Sequence, residues 1–216
     1  MRSRLMVMAR HQLLRAGLMS LLQPRPDLEL VAQAGDGQEG VRLASRLQPE
    51  VALMDMQLPG LNSVDATQRI LNANPACRVI CLAAEEPPQM LRAALQAGAR
   101  GMLSKDCSTE ELLRAIEAVL QRQLYISPSL ADAAVIACFE AASAQGGRSA
   151  FARLTPKERE VVQLLAEGLA TKEVAGRLGL SYKTVATHRE HAVAKLGLRG
   201  VADITRYAIR EGLVRP

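Results

Sequence analysis

Up to residue 122 the chain alternates short apolar runs with stretches whose apolar positions recur every three or four residues. The runs are Leu5 to Ala9, Leu28 to Ala34, Val51 to Met54, Val79 to Ala83 and Gly101 to Leu103. Their brevity and unbroken hydrophobicity predict strands covered on both faces. Helical patterns lie between them. Gln12 to Leu22 places Leu14, Leu18, Leu21 and Leu22 on one face, and Ser108 to Arg122 does the same with Leu112, Ile116, Val119 and Leu120. Ser108-Thr109-Glu110-Glu111 has the form of a capping box with Ser108 as N-cap. Repetition of strand then helix through all five runs implies an α/β domain built on a five-stranded parallel sheet, doubly wound.

The pattern loosens from Tyr125 to Ala152. Ile126-Ser127-Pro128 breaks a helix, the Ala-rich stretch Leu130 to Ala142 has the pattern of a short amphipathic one, and Ala144-Gln145-Gly146-Gly147-Arg148-Ser149 reads as a flexible linker. The expected division is a first domain over 1–124, a linker over 125–150 and a second domain over 151–216. The second domain reads as helical throughout. Thr155-Pro156-Lys157-Glu158 combines an N-cap, a proline at the first helical position and a capping glutamate, with Val161, Leu164 and Leu165 as the buried stripe before Gly168. Thr171 is expected to cap a short helix carrying Val174, Ala175 and Leu178. Gly179-Leu180-Ser181 forms a turn, Ser181 caps a longer helix to about Leu196, and a last helix runs from Val201 to about Glu211. Four helices with a three-residue, Gly-containing turn between the second and third have the helix-turn-helix arrangement, in which the second helix of the pair enters the major groove.

Charge sharpens this picture. From Phe151 onward there are 12 Lys and Arg against 7 Asp and Glu, whereas the first 150 residues hold 15 of each. The whole excess of +5 therefore lies on the helical domain, which points to a polyanionic partner. With no Trp, two Phe and three Tyr, the cores must be aliphatic. No apolar run has the length of a signal-peptide core or a membrane span, so a cytoplasmic protein without a membrane partner is expected. Cys77, Cys81, Cys107 and Cys138 show no metal-type pairing and read as small apolar residues. No nucleophile with a base, metal cluster or phosphate-binding glycine loop appears, which argues against an enzyme. Gly35-Asp36-Gly37 is a loop turn.

On the helix after Ser181, Val185, Ala192 and Leu196 recur on the face that should pack on Val174 and Leu178. Lys183, Ala186, Thr187 and Glu190 fall opposite. Leu154-Thr155-Pro156-Lys157-Glu158-Arg159-Glu160-Val161-Val162, Gly168-Leu169-Ala170-Thr171-Lys172-Glu173-Val174-Ala175, Ser181-Tyr182-Lys183-Thr184-Val185-Ala186-Thr187-His188-Arg189 and Lys195-Leu196-Gly197 resemble the LuxR-type helix-turn-helix over its whole length. The resemblance implies duplex DNA as partner. Lys183, Thr184, Arg189 and Lys195, with Lys172, are then candidates for phosphate contacts, which position without specifying sequence. Ala186, Thr187 and Glu190 would meet base edges, the first two through a methyl contact to thymine and the third as acceptor for cytosine N4. Relatives often place Lys where this chain has Ala186 and Glu190, so their operators do not transfer. Lys172 and Glu173 also suit a surface pair, and His188 suits a packed structural residue better than a base reader.

In open α/β sheets ligands bind beyond the carboxyl ends of the strands. Arg10, Asp55 and Lys105 follow or end three of them. Leu53-Met54-Asp55-Met56-Gln57-Leu58-Pro59-Gly60, Gly101-Met102-Leu103-Ser104-Lys105-Asp106 and Arg15-Ala16-Gly17-Leu18 resemble the receiver domain of NarL/FixJ-type response regulators, over residues 4 to about 122. The resemblance implies a flavodoxin-like fold and a phosphoacceptor at Asp55, served by a magnesium ion held by an acidic pair after the first strand. Ala9 and Arg10 stand where that pair belongs. Magnesium needs hard oxygen ligands, so no cofactor is expected. Ala83 replaces the phosphoryl-binding hydroxyl, and Met102 the aromatic that follows its movement. An ion pair from Arg10 to Asp55, in place of the cation, is expected.

These residues describe a sequence-specific DNA-binding regulator with an atypical receiver, working without phosphorylation and used for dimerisation or for sensing a partner or ligand. A homodimer is expected, because sites for such modules are paired half-sites. The competing readings are a conventional response regulator activated at Asp55 by a sensor kinase, and an interaction protein that sequesters another regulatory protein without DNA.

Overall fold

The computed structural model describes residues 2–84, 86–132 and 153–214, in two compact units. The first is a parallel α/β sheet. β1 (Ser3–Met8), β2 (Leu28–Ala34), β3 (Val51–Asp55), β4 (Arg78–Ala83), β5 (Gly101–Ser104) and β6 (Tyr125–Ile126) lie in the order β2-β1-β3-β4-β5-β6. Every neighbouring pair is parallel. The intervening helices are α1 (Gln12–Leu22), α2 (Gly37–Leu47), α3 (Ser63–Ala73), α4 (Pro88–Gln96) and α5 (Thr109–Leu120).

The burial of each strand follows from its place. β3, in the middle, is buried at every residue, as an uninterrupted apolar run requires. β2, at the edge, has solvent-exposed residues at Glu29 and Gln33. Leu5, Val7, Leu53, Ile80, Leu82 and Leu103 join Leu112, Ile116 and Val119 of α5 in one core. The capping residues are local and strong: Asp36 accepts from the Glu39 amide, Asn62 from Asp65 and Ser108 from Glu111. At the start of α2, a Cβ on Gly37 would lie 2.2 Å from the Leu61 carbonyl oxygen, so glycine there lets α2 seat on the loop after β3.

The structure departs from the periodicity in two places. The sheet has six strands, because Tyr125 and Ile126 pair with Gly101 and Met102. Ser127 then accepts from the Ser104 amide and donates to the Glu111 carboxylate, so the chain from 125 onward begins as part of the sheet rather than as a linker. Glu111 thus spends on Ser127 the carboxylate that a capping box would turn back on Ser108. On α1, Leu18 and Leu22 are buried but Leu21 is 45% exposed. The core lies against Leu18, Leu22 and the partly buried Met19, and Leu21 sits about 100° around the helix from Leu22, on the side away from Met19. The remainder of the Leu130 to Ala142 helix, Cys138 and the Ala144 to Ser149 linker lie outside the described residues.

The second unit contains α6 (Pro156–Ala166), α7 (Thr171–Leu178), α8 (Tyr182–Leu196) and α9 (Val201–Arg210). Thr155 and Glu158 form the reciprocal capping box at the start of α6. The N-cap of α7 is Ala170 and not Thr171: the chain supplies no hydroxyl there, and the Glu173 carboxylate accepts from the Ala170 amide at 2.7 Å instead. Val161, Val162, Leu164, Val174, Val185, Ala192, Ile204 and Ala208 are essentially fully buried. Among the described residues no helix is long and apolar enough to cross a membrane.

Candidate functional site

The parallel sheet brings the ends of β3, β4 and β5 together. Asp55, the last residue of β3, has no exposed surface. Its Oδ1 receives the Lys105 ammonium at 2.7 Å and the Gln57 amide at 2.9 Å, while its Oδ2 has no hydrogen-bond partner. Lys105 is itself held by its backbone, whose amide donates to the Ala83 carbonyl at 2.7 Å. The Gln57 side-chain amide donates to Glu86 Oε1 at 3.1 Å, and Glu86 Oε2 accepts from the Ala84 amide. An internal carboxylate therefore bridges the loops after β3 and β4 beside Asp55. Neither Gln57 nor Glu86 carries a sequence signal for this, since they lie 29 residues apart.

Ala9, Ala83 and Met102 are fully buried around the strand ends and bring only methyl and thioether groups. The expected Arg10 to Asp55 pair does not form. Arg10 is exposed, and the cation that binds the β1–α1 loop is Arg15, whose Nη1 donates to the carbonyls of Ala9 at 2.6 Å and Arg10 at 2.9 Å. Asp55 is sealed from water and already matched by Lys105. Burying a second cation there would incur its desolvation cost, and the other nearby carboxylate, Glu86, is already held by Gln57 and the Ala84 amide. Among the described residues no carboxylate follows β1 to share a magnesium ion with Asp55: Ala9 brings a methyl group and Arg10 an exposed cation, while Glu86 is held by Gln57 and the Ala84 amide. The thiols of Cys77 and Cys81 are pushed up to about 12 by burial, which keeps them protonated and unreactive.

In the helical unit, Gly179 adopts φ +65° to close α7, and Ser181 Oγ accepts from the Thr184 amide at 3.0 Å to open α8. The Thr184 hydroxyl is within 2.8 Å of Ser181 Oγ. Val185 and Ala192 are fully buried and Leu196 half-buried, as the inner face requires. Lys183, Thr184, Thr187 and Glu190 are exposed, Ala186, His188 and Arg189 half-buried, and Lys172 is exposed on the first turn of α7. Thr187 Oγ1 donates to the Lys183 carbonyl at 3.0 Å, so the hydroxyl's proton is committed to the helix while its methyl group and acceptor lone pairs stay available.

Lys195 differs from the phosphate-contact set. Its ammonium is committed to both oxygens of Glu158, at 2.8 and 2.7 Å, and ties the end of α8 to the start of α6. Burial pushes the Glu158 carboxyl up, but the Lys195 ammonium and the Thr155 amide together outweigh it and hold the group below its ordinary value. The partners are 37 residues apart, and each carries a plausible local role that hides the pair in the sequence.

Comparison with known proteins bears on both units. The response regulator receiver domain matches residues 5–117, and the domain of bacterial regulatory proteins of the luxR family matches residues 152–208. The transcriptional regulatory protein MctR of Rhizobium johnstonii is 32% identical over 98% of this chain and 95% of its own length. Response regulator GacA of Pseudomonas aeruginosa is 31% identical over 98% and 97%. A crystal structure of a LuxR-family two-component response regulator from Aurantimonas superposes with a TM-score of 0.60 at 30% identity, covering 64% of this chain and 99% of that one.

Proposed function

The chain belongs to the response regulators that carry a LuxR-type DNA-binding domain and is a DNA-binding transcription regulator; from that premise we propose that its receiver works without phosphoryl transfer to Asp55. The observation that carries this reading is the state of Asp55 itself. A phosphodonor must reach a carboxylate oxygen, and this one has no exposed surface, holds Lys105 and Gln57 on Oδ1, and has Glu86 as a further anion on Gln57. The side chains of Ala9, Arg10 and Ala83 offer neither a carboxylate ligand for magnesium nor a hydroxyl for the incoming group, which supports a receiver that works without the metal cofactor of phosphoryl transfer.

On the DNA side, Lys172, Lys183, Thr184 and Arg189 contact phosphates, while Ala186, Thr187 and Glu190 face base edges. Lys195 is left out of the set because its charge is matched by Glu158. The protein acts in the cytoplasm as a homodimer on paired half-sites, with the receiver supplying contacts to its second copy or to another regulatory protein.

The test is specific DNA binding by the unmodified protein and its Asp55→Ala variant, on fragments selected from its own genome, at stated salt. Equal affinity is the expected result. If the unmodified protein binds weakly and a small phosphodonor with magnesium restores binding only when Asp55 is present, the conventional switch operates and a sensor kinase is the partner to seek.

A further inference from the structure

At the opposite end of the sheet from Asp55, three arginines from three different connections line one cavity of about 450 Å³. Arg78 opens β4, Arg100 precedes β5 and Arg122 follows α5; Leu71, Pro75 and Gly98 form its apolar wall, and no carboxylate lines it. Arg78 Nη1 is anchored on the carbonyls of Ala76 at 2.6 Å and Cys77 at 3.2 Å. Among the described residues the side chains of Arg100 and Arg122 have no hydrogen-bond or ion-pair partner. Arg122 also holds φ +65°, a left-handed conformation that a non-glycine residue adopts at a cost. The first 150 residues are charge-balanced, so this cluster is a local excess rather than a reflection of the domain's net charge.

Three arginines around one cavity, with no carboxylate among its lining residues, make it electropositive, and an anion offsets that charge. Guanidinium presents paired donors that match phosphate oxygens bidentately. The cavity has the size of a small-ligand site, and its aliphatic wall suits an organic portion attached to the phosphate. We propose that this cavity binds a small organic phosphate carrying at least two negative charges, giving the receiver an input that does not pass through Asp55. The inference stands apart from the reading of the phosphoacceptor pocket, because none of its residues belongs to that pocket.

The test is calorimetric titration of the full-length protein at low ionic strength with ADP, pyrophosphate and adenosine, which separate the phosphoryl groups from the organic portion. ADP or pyrophosphate should bind and adenosine should not. Arg100→Ala and Arg122→Gly should each weaken binding by roughly tenfold or more, the effect of deleting a charge-assisted hydrogen bond. Arg122→Gly separates recognition from folding: glycine relieves the left-handed backbone, so its unfolding midpoint should hold or rise while its affinity falls. Absence of binding by ADP and pyrophosphate at millimolar concentration overturns the proposal. So does adenosine binding as tightly as ADP, or binding that survives both arginine variants; its loss in Lys183→Ala plus Arg189→Ala would then assign the anion to the DNA-binding helix.

Discussion

Removing Lys105 and removing Asp55 should have unequal costs, because the two partners of the 2.7 Å pair are buried to different depths. Asp55 has no exposed surface, whereas the Lys105 side chain keeps 18% of its own. Lys105→Ala leaves a sealed carboxylate with one amide donor on Oδ1 and nothing on Oδ2. Breaking a buried pair from one side costs about 3 to 5 kcal/mol, and partial access of water at the Lys105 end places the expected value near the lower figure, about 3 kcal/mol. Asp55→Asn keeps the shape and the oxygen that accepts from Gln57, and it frees an ammonium that can turn toward water. Its cost should be about 1.5 to 2 kcal/mol, the lower part of the range for a hydrogen bond to a charged group. Urea unfolding followed by circular dichroism reads the difference. With a denaturant slope of about 1 to 3 kcal/mol per molar, Lys105→Ala should lower the receiver midpoint by about 1 to 3 M and Asp55→Asn by about half of that. Hydrogen exchange on β3 and β5 assigns the transition to this unit. A Lys105→Ala cost below about 1 kcal/mol, or one smaller than that of Asp55→Asn, would refute the argument that desolvation of Asp55 governs the pocket.

Four further outcomes are expected. Glu158 is held below its ordinary value of 4.5, so its contribution is present above about pH 4.5 and is lost as pH falls through the lower folded value. Glu158→Gln should therefore cost about 2 kcal/mol near neutral pH and flatten the acid limb of the helical unit's stability, measured by thermal unfolding between pH 6 and 3. In DNA binding, Lys183→Ala should reduce the slope of log affinity against log salt by about one, while Lys195→Ala leaves that slope unchanged and lowers stability instead. Thr187→Val should bind within about twofold of wild type if the methyl group makes the contact, because the hydroxyl's proton is already committed to the Lys183 carbonyl, and Thr187→Ala should bind more weakly on a thymine-containing site. Gly37→Ala should cost about 1 to 3 kcal/mol despite alanine's better helix propensity, since its Cβ would meet the Leu61 carbonyl; an unchanged midpoint would show that α2 shifts freely.

The legible part of this protein lies wherever the deciding interactions are short in sequence. β2 spans the Leu28–Ala34 run itself, Ser181 opens α8, and Thr155 with Glu158 forms the capping box, because each depends on side-chain alternation or on partners within four residues. The motifs around Asp55, Lys105 and the α7–α8 turn likewise carried the two-domain family assignment. Tertiary structure decided what depends on residues far apart. Two residues, Tyr125 and Ile126, are too few to show a pattern, and only the open edge of β5 makes them a strand. Arg10 had the charge to pair with Asp55 but not the buried position, and Arg15 took the β1–α1 loop. Lys195 looked like a phosphate contact until packing brought Glu158 beneath it. Arg78, Arg100 and Arg122 are scattered along the chain and share a cavity only because parallel strands bring successive connections to one end of the sheet. The physical reason is common to the last three. Periodicity specifies which face of an element is apolar, but the fate of a charge is set by which opposite charge the fold places beside it and how much water is left there.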